Sequence, residues 1–152
     1  MKDLKEPDAG DTGNEQSRIL GIDFGLKRIG LALSDPLRIF AYPFKTLSND
    51  KNFWNELTKI IQDKNIEKVV LGYPLNEDGN KSEVTSDVEK FSGKLRRKFG
   101  IQIILWDERY TSVIAQEKIL ESVTKKSRRR NKGLLDQNSA AIILQEYLNT
   151  LN

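Results

Sequence analysis

The stretch Ile19-Leu20-Gly21-Ile22-Asp23-Phe24-Gly25 decides the fold. It is a short apolar run bounded by glycine and turn residues, which reads as a buried β-strand. Leu26-Lys27-Arg28 then turn the chain, and Ile29-Gly30-Leu31-Ala32-Leu33-Ser34 returns as a second strand. Asp23 is the anomaly in this pair. A carboxylate in an apolar strand costs on the order of several kcal/mol unless it is hydrogen-bonded, paired or metal-bound. Either the fold satisfies Asp23 locally, or the chain needs a charge at that place and Asp23 is the first ligand of a metal site.

Outward from this hairpin the chain divides in two. Residues 1–17 are polar and almost free of large apolar groups, so they are expected to be a disordered acidic tail; residues 18–152 form one domain. Asp35-Pro36 ends the second strand, and residues 39–44 read as a third, with Pro43 suggesting a sheet edge. Ser48-Asn49-Asp50 opens a helix with Phe53, Trp54, Leu57, Ile60 and Ile61 at helical spacing. Residues 68–72 are a buried strand, and the Pro and Asp-Gly content of 73–80 marks a loop. A helix over 82–99 carries Val84, Val88, Phe91, Leu95 and Phe99 on one stripe and ends at Gly100. A strand over 101–106 leads to Asp107-Glu108-Arg109-Tyr110. Thr111 or Ser112 caps a helix to about residue 121, a basic loop covers 122–133, and a last helix runs from 134 to 148.

Three meandering strands followed by strand–helix alternation imply an α/β fold, a mixed five-stranded sheet with helices on both faces. Ligands of such sheets bind beyond the carboxyl ends of the central strands. Asp23 and the pair Asp107-Glu108 both sit at such ends.

Composition narrows the chemistry. The 152 residues hold no Cys and no His. Disulfides, thiolate catalysis, a Ser-His-Asp triad and a His-ligated zinc site are therefore excluded. Acid–base work falls to carboxylates, Lys, Tyr or metal-bound water, and the available oxygen ligands suit Mg²⁺ or Mn²⁺. No apolar run is long enough for a membrane span and the N-terminus is no signal peptide, so a cytoplasmic protein is expected. Net charge is +3, yet residues 1–17 carry five acids against two lysines, which leaves +6 on the rest. A basic body is compatible with a polyanionic partner.

The acids need weighing one by one. If the strand before them alternates, Glu108 shares the parity of Ile104 and Trp106, and Asp107 that of Ile103 and Leu105. Only one of the two can join Asp23, and parity alone does not choose. Two solvated acids at a strand end are the blander reading. Asp136 opens the last helix, where a carboxylate commonly complements the N-terminal dipole. It also shares a stripe with Ala140, Ile143 or Leu144, Tyr147 and Leu151, over the core face of that helix.

The contexts of these acids, taken together, are specific. Ile22-Asp23-Phe24-Gly25-Leu26-Lys27-Arg28-Ile29-Gly30, Leu71-Gly72-Tyr73-Pro74-Leu75-Asn76-Glu77-Asp78-Gly79, Asp107-Glu108-Arg109-Tyr110-Thr111-Ser112 and the run from Lys126 to Lys132 leading into Leu135-Asp136-Gln137-Asn138-Ser139-Ala140-Ala141 closely resemble the YqgF/RuvX family. The resemblance covers about residues 18–150. The segment Asn80-Lys81-Ser82-Glu83 matches more loosely, since many members carry Glu where Lys81 stands. The resemblance implies an RNase H-like fold and a metal-dependent nuclease that processes the 5′ end of pre-16S rRNA or, alternatively, resolves Holliday junctions. It implies Asp23, Glu108 and Asp136 as catalytic and metal-holding acids, with Glu108 chosen over Asp107. Phosphodiester hydrolysis by two Mg²⁺ or Mn²⁺ ions needs oxygen ligands of this kind and no histidine.

Lys27, Arg109, Lys126, Arg128, Arg129, Arg130 and Lys132 are the candidate contacts to RNA or branched DNA. A charge run is commonly only a solvated segment. This one adjoins Asp136 and lacks an apolar anchor, which fits a phosphate-binding arm that positions without reading sequence. Lys94, Arg96, Arg97 and Lys98 read instead as the wet face of a helix. Two other classes compete: an actin-like ATPase, which shares Asp-x-Gly followed by a hairpin but needs a second domain, and a non-catalytic nucleic-acid binder, which has no need of three acids. A junction resolvase makes two symmetric cuts and is expected to be a homodimer, whereas an rRNA-trimming enzyme can be a monomer. Replacing Arg128, Arg129 and Arg130 together with Ala should weaken binding to many nucleic acids alike. Each lost phosphate contact should lower the slope of log K against log salt by roughly 0.7–0.9; an unchanged slope in a salt titration would rule the arm out.

Overall fold

The computed structural model describes residues 17–108 and 132–151, with side chains from residue 138 onward in the second segment. Strands β1 (Arg18–Asp23), β2 (Arg28–Ser34) and β3 (Ala41–Ser48) meander. Then follow helix α1 (Phe53–Asp63), strand β4 (Ile66–Tyr73), helix α2 (Glu83–Phe99), strand β5 (Gln102–Asp107) and helix α3 (Lys132–Asn149). The five strands form one sheet in the order β3-β2-β1-β4-β5. β1 runs antiparallel to β2 and parallel to β4, and β4 runs parallel to β5. The expected mixed sheet is therefore present. The helix expected from Thr111 or Ser112 to about 121 lies outside the described residues.

Strand alternation divides the core into two layers. Leu20, Ile22, Leu31, Val69 and Leu71 pack against Phe53 and Leu57 of α1 and Val88, Phe91 and Leu95 of α2. Ile19, Ala32 and Val70, on the other face, pack against Ala140, Ala141, Ile143, Leu144 and Leu148 of α3. Helices thus cover both faces, as the sequence pattern requires. Val84 and Leu151, both placed on apolar stripes from the sequence, are largely exposed, and Leu148 takes the inward place at the end of α3.

The third strand lies later than expected, at 41–48 rather than 39–44. Asp35 explains the delay. Its Oδ1 accepts from the main-chain N–H groups of Ile39 at 2.7 Å and Phe40 at 2.8 Å, and its Oδ2 accepts from Leu37 at 3.2 Å. With Arg38 at φ 61° these bonds hold Ile39 and Phe40 in the turn. Pro43 does fall on an edge strand. Leu31 pairs with Lys45 and Ala32 with Pro43, so Phe44 is the extra residue of a bulge, a common edge device. The next helix also begins later, at Phe53, because Asp50 Oδ1 accepts from Asn52 N–H and so forms a turn first. Ser82 caps α2, reciprocally with Thr85. Ser17, assigned to the tail, is buried and donates to Glu67 Oε1 at 2.7 Å. No helix among the described residues is long and apolar enough to cross a membrane.

Helix α3 lies unusually near the sheet because β1 has no side chain at its centre. A Cβ on Gly21 would stand 2.8 Å from Leu144 Cβ and 2.9 Å from the carbonyl oxygen of Ala140. Neither atom is the loose end of a flexible chain. Gly21→Ala should therefore lift α3 and destabilise the domain by about 1–3 kcal/mol, the usual cost of overpacking. Urea unfolding would detect that loss, and unchanged stability would show that the α3 contact yields.

Candidate active site

The same alternation assigns the acids. On β1, Asp23 follows Ile19 and Gly21 on the α3 face, while Leu20 and Ile22 point to the α1–α2 face. On β5, Ile104 and Trp106 pack with the α3 layer, and Ile103 with the opposite one. Glu108 continues the first series and Asp107 the second. The sheet therefore brings Glu108, not Asp107, to the face of Asp23. Both lie at the carboxyl ends of parallel strands.

Gly72 of β4 lies between them. Ile22 pairs with Leu71, which sets Asp23 level with Gly72, and Gly72 pairs with Trp106. A Cβ on Gly72 would meet the Glu108 carboxyl carbon and Oε2 at 3.0 Å and Ile143 Cδ1 at 2.7 Å. The Glu108 carboxyl group thus lies over the glycine, one strand away from Asp23, or about 4.8 Å in the sheet direction. Burial raises the Glu108 pKa above the ordinary glutamate value, and the neighbouring Asp107 charge adds to the rise. Both effects disfavour an anion, and a bound cation would reverse them.

Position 136 belongs to α3; its side chain lies outside the described residues. The course of α3 nonetheless fixes where that turn falls. Gln145 bonds the main chain of Ala41 and Ile39 at the β2–β3 turn, whereas Ala140 lies over Gly21 farther up β1. One turn earlier, residue 136 stands about 6 Å farther toward the carboxyl ends. Among the described residues no three acidic, His or Cys side chains gather as a metal site.

Lys27 is exposed in the β1–β2 turn, beside this end of the sheet. Lys132 is the first residue of α3, its side chain outside the described part. Arg109, Lys126, Arg128, Arg129 and Arg130 lie outside the described residues altogether. Lys94, Arg96, Arg97 and Lys98 are exposed, as expected of a wet helix face; Lys94 Nζ lies 4.6 Å from the centre of the Trp54 ring.

Two features at this end were not read from the sequence. Asn49 donates its main-chain N–H to the Lys27 carbonyl and its side-chain Nδ2 to the Gly25 carbonyl, each at 2.9 Å. The only sequence signal was an asparagine in a polar turn. The loop after β4 is pinned by Glu89, whose Oε2 accepts from Tyr73 Oη at 2.7 Å and meets Lys81 Nζ at 2.8 Å. The Lys81 hydrogen bond, with that of Tyr73, holds Glu89 below the ordinary range, and the bond to Glu89 raises both partners. Lys81 therefore has a role in the loop despite departing from the common pattern.

Residues 17–150 match the family described as RuvX, Holliday junction resolvase. A protein of Chlorobaculum tepidum, provisionally named a pre-16S rRNA nuclease, is 39% identical over 140 residues, covering 91% of this chain and 98% of that one. The fowlpox virus Holliday junction resolvase has the same fold, with a TM-score of 0.57 at 15% identity over 89% of this chain and 99% of the viral one. RuvC of T. thermophilus, solved with a Holliday junction substrate, gives a TM-score of 0.56 at 12% identity over 88% and 96% of the two chains. These likenesses place the sheet and helices in the RNase H-like fold.

The raised Glu108 pKa has a signed consequence. Between the ordinary glutamate value and the raised one, the folded protein binds more protons than the unfolded chain, so stability falls as pH rises through that window. Glu108→Gln removes this dependence. In metal-free buffer the variant should melt at or above the wild type near neutral pH, with the gap closing as pH falls to about 4. A gap of the opposite sign in paired melting curves would contradict the assignment.

Proposed function

The chain belongs to the RuvX family, and on that premise we propose that it is a metal-dependent nuclease that hydrolyses phosphodiester bonds, with the 5′ end of pre-16S rRNA as its substrate. The observation that carries this reading is the convergence of Asp23 and Glu108 on the α3 face at the carboxyl end of the sheet, beside Gly72. A cytoplasmic site of action accompanies such a substrate. The chain acts as a monomer or homodimer.

Asp23, Glu108 and Asp136 would hold Mg²⁺ or Mn²⁺. Their carboxylates form the all-oxygen donor set that hard cations take, and the burial that raises the Glu108 pKa favours a counter-charge. When bound, one cation or a pair supplies the positive charge that stabilises the attacking and leaving oxygens of an in-line displacement. The chain's own cations do the rest. Lys27 and Arg109 orient the phosphodiester, and Lys126, Arg128, Arg129, Arg130 and Lys132 hold flanking phosphates without reading bases. Gly72 leaves room for the Glu108 carboxyl group, and Ile143 walls it from one side.

Asp23→Asn tests the site. The amide keeps shape and hydrogen-bonding capacity but removes the charge that holds a cation. Cleavage of a precursor 16S 5′ segment, run beside a four-way DNA junction, should be abolished, while nucleic-acid binding persists. Without metal the variant should melt at or above the wild-type temperature, and Mg²⁺ should raise the melting temperature of the wild type only. Preferential cutting of the junction would move the substrate to branched DNA. A folded, fully active Asp23→Asn protein would end the metal-site reading.

A further inference from the structure

Leu26, three residues after Asp23, stands at the tip of the β1–β2 turn with 65% of its surface exposed. It is the most exposed large apolar residue at the carboxyl end of β1 among the described residues; Leu37, Ile39, Phe40 and Tyr42 belong to the far end and the edge strand. A lone exposed leucine is ordinary. What sets this one apart is how its turn is bonded. Asn49, from outside the hairpin, bonds the carbonyls of Gly25 and Lys27, on either side of Leu26, at 2.9 Å each. The space that a Cβ on Gly25 would take is filled by the carbonyl oxygen of Arg28. The bond to Lys27 continues the β2–β3 ladder, in which Arg28 pairs with Ser48; the Nδ2 bond to Gly25 is an added tie that strand pairing does not require. Together they set the backbone on both sides of Leu26, at the same end of the sheet as Asp23.

A nucleotide matches the pair Leu26 and Lys27. Its base and sugar carbons offer apolar surface and its phosphate an anion, and leucine is among the residues used as apolar wedges against bases. We infer that Leu26 packs against a nucleoside flanking the phosphate engaged by Lys27, and that Asn49 is the positioning residue that keeps Leu26 there. This inference rests on the nuclease reading above and adds a substrate contact to it.

The test uses the full chain, a short fluorescent RNA copied from the precursor 16S 5′ segment, and Ca²⁺ in place of Mg²⁺ during binding. Leu26→Ala should weaken binding roughly tenfold, as expected for partial burial of one leucine, with the salt slope unchanged. Leu26→Phe should bind like the wild type. Lys27→Ala should instead flatten the slope by roughly 0.7–0.9. In cleavage assays with Mg²⁺, Asn49→Ala should raise KM about as much as Leu26→Ala, with kcat within about twofold. The double variant should be no worse than either single one, because both changes remove the same contact. A purely structural Asn49 would lower the melting temperature and leave KM alone, and additive effects would show that it does not act through Leu26. If the wild type cleaves, Asp23→Asn does not, and Leu26→Ala binds like the wild type, the contact is wrong and the nuclease reading stands. If Asp23→Asn cleaves normally, the nuclease site itself falls.

Discussion

The close seating of α3 on the two central strands is the constraint on which the rest of this structure depends. Gly21 of β1 admits Leu144 and the Ala140 main chain, and Gly72 of β4 admits Ile143 and the Glu108 carboxyl group. A side chain at Gly21 would push the helix outward, whereas one at Gly72 would displace the ends of the Ile143 and Glu108 side chains. With the helix down, its N-terminal part lies toward the carboxyl ends of the strands, where Asp23 ends β1 and Glu108 follows β5. Packing and site geometry are therefore one problem. Gly21 sets how closely α3 sits on the sheet, and Gly72 leaves room for the Glu108 carboxyl group.

The two ends of the sheet use polar groups in opposite ways. At the amino end of β1 they are stitched together. Ser34 Oγ accepts from Ile19 N–H at 2.9 Å, Arg38 joins Ser17 and Glu67 at 2.6 and 2.5 Å, and Gln145 ties α3 to Ala41 and Ile39 at 2.9 Å. Hydrogen-bonded polar networks of this kind rigidify a fold. At the carboxyl end burial and Asp107 both work against the charge on Glu108. Stability gained at one end supports an electrostatic arrangement at the other that does nothing for folding by itself.

Most of the fold was legible because the sheet obeys a period of two and the helices a period of 3.6. The apolar runs at 19–22, 29–33 and 69–71 and the stripe through Val88, Phe91 and Leu95 could form little else. The displaced third strand was not legible, since Ile39 and Phe40 look like strand residues until the Asp35 carboxylate is seen collecting their N–H groups. Local side-chain bonding of this kind competes with a sheet ladder and leaves no periodic trace. Of the site, Asp23 was conspicuous because it broke an apolar run. Periodicity alone left Asp107 and Glu108 open, because which face α3 covers is a tertiary fact that no local pattern contains; only the family resemblance pointed to Glu108. Asn49 was invisible for a similar reason: its partners Gly25 and Lys27 lie more than twenty residues earlier.

Gly21, Gly72 and Gly25 each mark a close approach of backbone to something else: helix α3, the Glu108 carboxyl group and the Arg28 carbonyl. None has a positive φ; among the described glycines only Gly79 and Gly100 do. Conformational freedom is therefore not their use; missing volume is. In a strand, glycine forgoes side-chain packing and adds chain entropy to be lost on folding. Three such residues within or beside β1 and β4 are sustained here by what approaches them. A sequence reader who treats strand glycines as places where another group must come close, and asks which groups are charged, is led from Gly72 to Glu108 and from Gly25 to the turn that holds Leu26 and Lys27.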